Sequence, residues 1–429
     1  TLIDLPSKVL VDTGSARGRG RRVNGRLGRL RTGQPLDAMP DPTARPGGPA
    51  NRRLAAKVHH HLQLGDITRA SRAIDSCPLA PPTPENIELL QALHPAAPLP
   101  IIPPATGCTL SITADILSDV LRALPRGSAA GPSGWTYEHI TAAVRANNSA
   151  VSAVVRFMNA AVNGRLQHIV PLLDSTLLAL EKPGGGVRPI AVGETWTRLA
   201  ALCAIAAAPP LGNSLAPLQL GVQVKGGSQC IGHALRAGIA AEPSCVTVEL
   251  DWRNAFNTVS RTSMLAAVAR RAPQLLPFAT WAYKQPSRLF VAGTPAGTAP
   301  LQSECGVRQG DPMGPILFAL TLQDTLESTK GQLPSVRSLS YADDVYLQGS
   351  VASELVQAVN TVRVGGGEIG LELADGKCRV YSQDDPELAA AVAAELGFLH
   401  APDGLVAAGT PVGTEAFIVD YTRERADAV

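Results

Sequence analysis

Three aspartates carry the most informative chemistry in the chain. In SYADDVYL (340–347), Asp343 and Asp344 fall between two apolar runs, and the pattern predicts strand, tight turn and strand with both acids at the tip. An Asp-Asp pair at a hairpin tip is by itself an ordinary turn. A third carboxylate changes its meaning, because VTVELDWRNAF (246–256) sets Asp251 where a β-branched strand runs out. Carboxylates on strand ends from distant parts of a chain can converge on a hard cation, and Mg2+ takes one or two of them together with phosphate oxygens. Three such acids fit a two-metal site, its ions ~3.5–4 Å apart, that activates an attacking hydroxyl and stabilises a leaving pyrophosphate.

Features suited to a nucleoside triphosphate lie around these acids. KPGGGVRPI (182–190) sets Lys182 and Arg188 on either side of a glycine loop, either as a solvated hairpin or as a turn laying two cations across a triphosphate. It lacks the spacing of a Walker loop. In GVRQGDPMGPILFAL (306–320) a Gly-Asp-Pro turn leads into an apolar helix. Gln309 and Gly310 there could approach a base pair or sugar closely, since glycine has no side chain to obstruct it.

The order GPSGW (131–135), KPGGGVRPI, VELDWRNAF, GVRQGDPMGPILF, YADD, GLELADGKC (370–378) and AAGTPVG (407–413) resembles the ordered motifs of reverse transcriptases. The likeness covers about 107–413 and is nearest to the non-LTR (LINE-type) retrotransposons. Group II intron-type reverse transcriptases are the nearest rival, and a decayed or domesticated element that binds RNA without polymerising is the alternative of another class. The resemblance implies RNA-directed DNA polymerase activity on an RNA template. The primer would be DNA or nicked target DNA, the substrates deoxynucleoside triphosphates (dNTPs), and the cofactor two Mg2+ (or Mn2+) ions. By the same resemblance Asp251 and Asp343 are the metal-binding aspartates and Asp344 the supporting third. Lys182 and Arg188 hold the triphosphate, and Gln309 and Gly310 form the turn facing dNTP and template. Phe256 is the steric gate against a ribose 2′-hydroxyl, and Lys377 protonates the leaving pyrophosphate. Gly409, Thr410 and Gly413 belong to the primer grip. Asn257 departs from the family, which more often has Asp there. Only residues 414–429 follow Gly413, so the implied fold is α+β: right-hand fingers and palm with an antiparallel palm sheet, the thumb missing or truncated.

The elements that must position these residues can be read more coarsely. Thr113 reads as an N-cap, followed by Ile116, Leu117, Val120, Leu121 and Leu124 on one helical face. Helices are also expected over 150–163, 194–207, 313–328 and 351–363, and after strand 245–250 to near Arg271. Strands are expected over 176–181 and 187–192. Their irregular mixing favours α+β over strict βα alternation. APPTP (80–84) and HPAAPLPIIPPATG (94–107) read as linkers. Three segments follow: a basic Arg/Gly/Pro-rich extension over 1–53, a short helical and Pro-rich extension over 54–106, and the fingers-and-palm body over 107–429.

The 429 residues carry 38 Lys and Arg against 36 Asp and Glu, a formal charge of +2. That near-neutrality hides a split: residues 1–57 hold twelve Lys and Arg against four Asp. Arg17, Arg19, Arg21, Arg22, Arg26, Arg29 and Arg31 stand among glycines with no apolar periodicity, a pattern suited to gripping phosphate backbones without sequence preference. No apolar run reaches the ~18–20 residues of a membrane span. Seven scattered cysteines without a Cys-x-x-Cys pair speak against a zinc ribbon or disulfide framework and for a reducing intracellular compartment, nuclear or cytoplasmic. LVDTGS (10–15) resembles an aspartic protease turn but runs straight into Arg-Gly sequence. His59, His60 and His61 would splay around a helix and make a poor metal site. Thr1 in place of Met reads as a piece of a longer reading frame.

Overall fold

The computed structural model describes residues 78–427 except 106, 126, 168, 183, 184 and 296. The basic extension with its seven arginines, the LVDTGS string, residues 54–77 of the short helical extension, and His59 to His61 lie outside the described residues. In chain order the elements are α1 (Pro84–Ala92), α2 (Ala114–Ala123), α3 (Tyr137–Ala146), α4 (Asn148–Val162), β1 (Ser175–Glu181), β2 (Val187–Gly193), α5 (Thr195–Ala207) and α6 (Gly227–Ala241). There follow β3 (Val246–Leu250), α7 (Arg261–Arg271), α8 (Leu276–Tyr283), β4 (Ser287–Val291), β5 (Leu301–Ser303), α9 (Gly314–Gln332), β6 (Arg337–Tyr341) and β7 (Asp344–Gly349). The last are α10 (Ala352–Glu368), β8 (Arg379–Ser382), α11 (Pro386–Leu396), β9 (Leu399–His400), β10 (Gly404–Ala407), β11 (Thr410–Gly413) and α12 (Glu415–Asp427). The mixed helix and strand content agrees with the expected α+β class. No described helix is long and apolar enough to cross a membrane.

Two compact units divide the described chain. The first draws on residues 78–93, 111–207 and 287–302. Its sheet runs in the order β2–β1–β4–β5, with β1 antiparallel to β2 and parallel to β4. Leu177, Ala179, Val187, Ala191 and Leu289 of this sheet pack with Leu90 of α1. Helix α2 starts where expected: the Thr113 side chain accepts from Ile116 N, and Leu117, Val120 and Leu121 are buried. Helix α4 begins at Asn148, earlier than the apolar pattern predicts, because the Asn147 side chain accepts from Ser149 N. The stretch 80–84 is not a free linker. Ala80 N donates to Ala179 O at 2.9 Å, Thr83 caps α1, and Pro84 sits in its first turn, where a missing N–H costs nothing.

The second unit comprises 94–110, 208–286 and 303–427. Its sheet has the order β6–β7–β3–β8–β9. The pairs β6–β7, β7–β3 and β3–β8 are antiparallel, whereas β9 joins β8 in parallel. Strand alternation sorts the two faces. Val246, Val248 and Leu250 of β3 pack with Phe318, Leu322 and Leu326 of α9, with Leu355, Val359 and Val362 of α10, and with Val392 of α11. On the opposite face Tyr346 and Tyr381 meet Ile231, Leu235 and Ile239 of α6 and Leu405 and Val412 of the β10–β11 hairpin. Each fully buried side chain of this kind contributes ~1.5–3 kcal/mol, so the central strand is rigidly held. The described residues of the 94–107 stretch form no regular element but are tied down: Ala97 N donates to Glu304 Oε2 at 3.2 Å and Ile101 N to Thr262 Oγ1 at 3.1 Å. Its prolines leave few N–H groups, and these two find side-chain acceptors in place of a helix or ladder.

Candidate active site

Strand β3 is buried on both faces and ends at Leu250, opposite Val345 of β7, so one further step of the register sets Asp251 across from Asp344. The β6–β7 hairpin closes on the pair Tyr341↔Asp344, with Ala342 and Asp343 as the turn. Asp343 is thus at the tip, while Asp344 is the first residue of β7, a sharper placement than the sequence alone allowed. Burial pushes the Asp344 carboxyl up to about 7, with repulsion from Asp343 and Asp251 adding to the rise. Glu249, two residues before Asp251 and so on the same face of β3, is also pushed up to about 7. Burial is the main cause, Arg379 opposes it, and Asp344 and Asp251 reinforce it. Four carboxylates therefore sense one another at this end of the sheet. Among the described residues no three His, Cys, Asp or Glu side chains converge closely enough to hold a metal ion as placed.

Asp251 is fixed through its backbone. Its N–H donates to Cys378 Sγ at 3.4 Å and its carbonyl accepts from Ala374 N at 2.8 Å. These bonds bring in the turn that carries Lys377, closed by Lys377 N to Ala374 O at 2.7 Å. Burial lifts the Cys378 thiol to about 11, which keeps it neutral beside the acids.

Phe256 lies in a single helical turn after Asp251 and stacks on Phe318 of α9, centroids 4.9 Å apart. Its carbonyl accepts from Val307 N at 2.6 Å. Gly306 makes this approach possible: its φ is +61°, and a Cβ there would lie 2.2 Å from Phe256 O. The following turn is braced from within. Asp311 accepts from Met313 N at 2.9 Å and from the Tyr283 hydroxyl at 2.5 Å, and Arg308 lies 4.5 Å above the Tyr283 ring. Arg261, almost fully buried, donates to the carbonyls of Ser303, Cys305 and Gly306. Gly310 has φ +119°, and Gln309 Oε1 is buried with no hydrogen-bond partner among the described residues.

The β10–β11 hairpin covers the sheet face that bears Asp344. Ala408 N donates to the Tyr346 hydroxyl at 2.9 Å, Arg236 Nη2 to Pro411 O at 2.6 Å, and the Tyr421 hydroxyl to Gly409 O at 3.3 Å. Thr410 leans on Gly232 of α6, where a Cβ would come 2.4 Å from its methyl. Gly409 has φ +81°, as the tight turn requires.

Lys182 and Arg188 belong to the first unit and flank the β1–β2 turn. Lys182 N donates to Gly186 O at 3.1 Å, Arg188 pairs with Leu180, and both side chains are exposed. The GPSGW loop lies against the end of β2. Buried Glu194 accepts from Ser133 N, Ser133 Oγ at 2.7 Å and Thr195 N, and its carboxyl is raised by burial despite these bonds.

The second unit thus gathers Asp251, Asp343 and Asp344 and, through backbone and packing ties, Phe256, Gln309, Gly310, Lys377, Gly409, Thr410 and Gly413. Sequence reasoning missed Glu249, Tyr283 and Arg261. Two-residue periodicity back from Asp251 would have found Glu249. Tyr283 closes an apolar helix and Arg261 opens another, and neither position carries a local signal.

A family model described as reverse transcriptase (RNA-dependent DNA polymerase) matches residues 141–399. A retrotransposable element SLACS 132 kDa protein of Trypanosoma brucei gambiense is 29% identical over 246 residues, 54% of this chain and 20% of that protein. A retrovirus-related Pol polyprotein from type-1 retrotransposable element R2 of Nasonia vitripennis is 30% identical over 142 residues, 31% of this chain and 14% of that protein. The chain therefore spans a fifth or less of the length of these relatives. A solved apo telomerase from Candida tropicalis, truncated from its C-terminal domain, aligns with TM-score 0.38 at 13% identity over 51% of this chain and 52% of that one.

Proposed function

Because this chain belongs to the reverse transcriptase (RNA-dependent DNA polymerase) family, we propose that it is the RNA-directed DNA polymerase core of a non-LTR retrotransposon-type element. In this reading the second unit serves as palm, with Asp251, Asp343 and Asp344 as its catalytic acids, and the β1–β2 hairpin belongs to the fingers. The observation that carries the reading is the meeting of Asp251 with the Asp343–Asp344 pair at one end of a rigid, mainly antiparallel sheet.

By the chemistry of its donors, though not by their spacing as placed, the set fits a hard divalent cation. It is built of carboxylate oxygens alone, and the repulsion from Asp343 and Asp251 that adds to the effect of burial on Asp344 is the kind that such a cation relieves. Asp251 and Asp343, supported by Asp344, would hold two Mg2+ (or Mn2+) ions, which when bound supply Lewis acidity and charge neutralisation for nucleotidyl transfer. The chain's own side chains do the remaining work. Lys182 and Arg188 bind the triphosphate, and Gln309 and Gly310 orient the incoming nucleotide against its template base. Phe256 excludes a 2′-hydroxyl by its ring, Lys377 gives a proton to the leaving pyrophosphate, and Gly409, Thr410 and Gly413 steady the primer end. The arginines of the 1–53 segment neutralise phosphates of RNA template or target DNA.

The test is dTTP incorporation on poly(rA)/oligo(dT) by the protein with its downstream reading frame. The expected result is RNA-templated product that requires Mg2+ or Mn2+ and disappears on chelation. RNA binding without incorporation in either metal would reject the polymerase reading in favour of a binding protein.

A further inference from the structure

The turn that presents Asp343 is held by a buried side chain outside every motif discussed so far. Gln219 is fully buried in the segment LQLG (218–221), which runs beside β6: Gln219 and Ser340 form a parallel bridge, and Leu220 N donates to Ser340 O at 2.8 Å. The Gln219 carboxamide makes four hydrogen bonds. Its Oε1 accepts from Ala342 N and from Gly221 N, each at 2.9 Å, and its Nε2 donates to Ala342 O and to Ser340 Oγ, each at 3.0 Å. One side chain thus takes both the N–H and the C=O of Ala342, as a neighbouring strand would.

Ala342 needs such a clamp. Its φ is +55°, a left-handed conformation that an L-residue with a Cβ adopts only under constraint from its surroundings. Gly221 permits the close approach, since a Cβ there would lie 2.3 Å from Ala342 N. The clamp is itself anchored by Gln219 N donating to Leu215 O at 3.0 Å.

We propose that Gln219 is a positioning residue, which locks the Ala342 peptide in its left-handed state and so fixes the direction in which the Asp343 carboxylate is offered. The consequence for catalysis rests on the polymerase reading, whereas the clamp on the turn does not. Gln219→Met keeps length and bulk but takes from Ala342 N its acceptor and from Ala342 O one of two donors, the Ser340 hydroxyl remaining at 3.2 Å. Gln219→Glu keeps an acceptor for Ala342 N and removes both donors.

The experiment uses the protein with its downstream reading frame and two readouts: hydrogen–deuterium exchange across 338–346, and primer extension as a function of Mg2+ concentration. For Gln219→Met the Ala342 amide should exchange about tenfold faster while the β3 amides keep their protection, with a melting temperature lowered by the buried groups left without partners. In extension, kcat should fall by about tenfold or more and half-maximal rate should need severalfold more Mg2+, with KM for dTTP nearly unchanged, because a misplaced ligand group acts on the reacting geometry rather than on nucleotide binding. Gln219→Glu should retain Ala342 protection yet show the same Mg2+ shift, which decides the matter if the Met variant does not fold. Unchanged Ala342 exchange in Gln219→Met, or wild-type Mg2+ dependence in both variants, would overturn the proposal. A wild-type protein inactive in every metal would defeat the polymerase reading alone, and the exchange data would still decide the clamp.

Discussion

At the scale of single residues, the arrangement assigns different work to neighbours only a few positions apart. Asp251 is tethered through its own backbone to the turn of Lys377, whereas Asp344 is raised to about 7 by burial and by the carboxylates beside it. Phe256 is held by stacking on Phe318 and by its carbonyl bond to Val307, so its ring has little freedom to move. Replacing it by Val removes the ring and leaves these backbone ties. Phe256→Val is therefore expected to raise ribonucleotide incorporation relative to deoxynucleotide by about tenfold or more, the cost of one steric clash of ~1.4 kcal/mol or more. Competition between rUTP and dTTP on one primed template measures this, and unchanged sugar discrimination would reject Phe256 as the gate.

At the scale of elements, the helices around the sheet are fastened as well as packed. Arg270 and Arg271 at the end of α7 pair with Asp324 of α9, and Arg271 also pairs with Glu327. These arginines hold the carboxyls of Asp324 and Glu327 below their ordinary range. A carboxylate lowered on folding adds stability above its unfolded pKa and loses it as pH falls through its folded one. The groups are partly exposed, so the network is worth only ~1 kcal/mol. Arg271→Ala should lower unfolding free energy by about that amount at pH 7, with the deficit shrinking as pH falls from about 5 to about 2, through the depressed carboxyls. Urea titrations of both proteins across that range measure it, and a deficit independent of pH would contradict the ion-pair origin. The elements also show how far sequence can be read. The β6–β7 hairpin, β3 and the β1–β2 hairpin were legible because turn residues and two-residue alternation are local signals. Helix α1 was not, because the prolines of 80–84 read as a linker although Pro84 opens the helix. The short strands β4, β9, β10 and β11 were equally hidden, since two to five residues carry too little periodicity. At the site, Asp251, Asp343 and Asp344 were legible from their types and strand ends. Gln219, Tyr283 and Arg261 were not, because what they do depends on contacts with residues distant in sequence.

At the scale of the whole molecule, the net charge of +2 separates into a basic N-terminal stretch and an acidic remainder that contains the three aspartates. Lys182 and Arg188 are presented by one compact unit, and the acids by the other. The central claim is that Asp343 makes the chain a polymerase and is not merely a turn residue. Asp343→Asn preserves size and turn chemistry while removing one charge, so fold and RNA binding should persist. The most direct measurement is primer extension on poly(rA)/oligo(dT) with the full reading frame, wild type against Asp343→Asn, alongside melting and RNA-binding curves. The expected result is incorporation reduced to background in a variant that still folds and binds RNA. Undiminished extension by Asp343→Asn would contradict the claim.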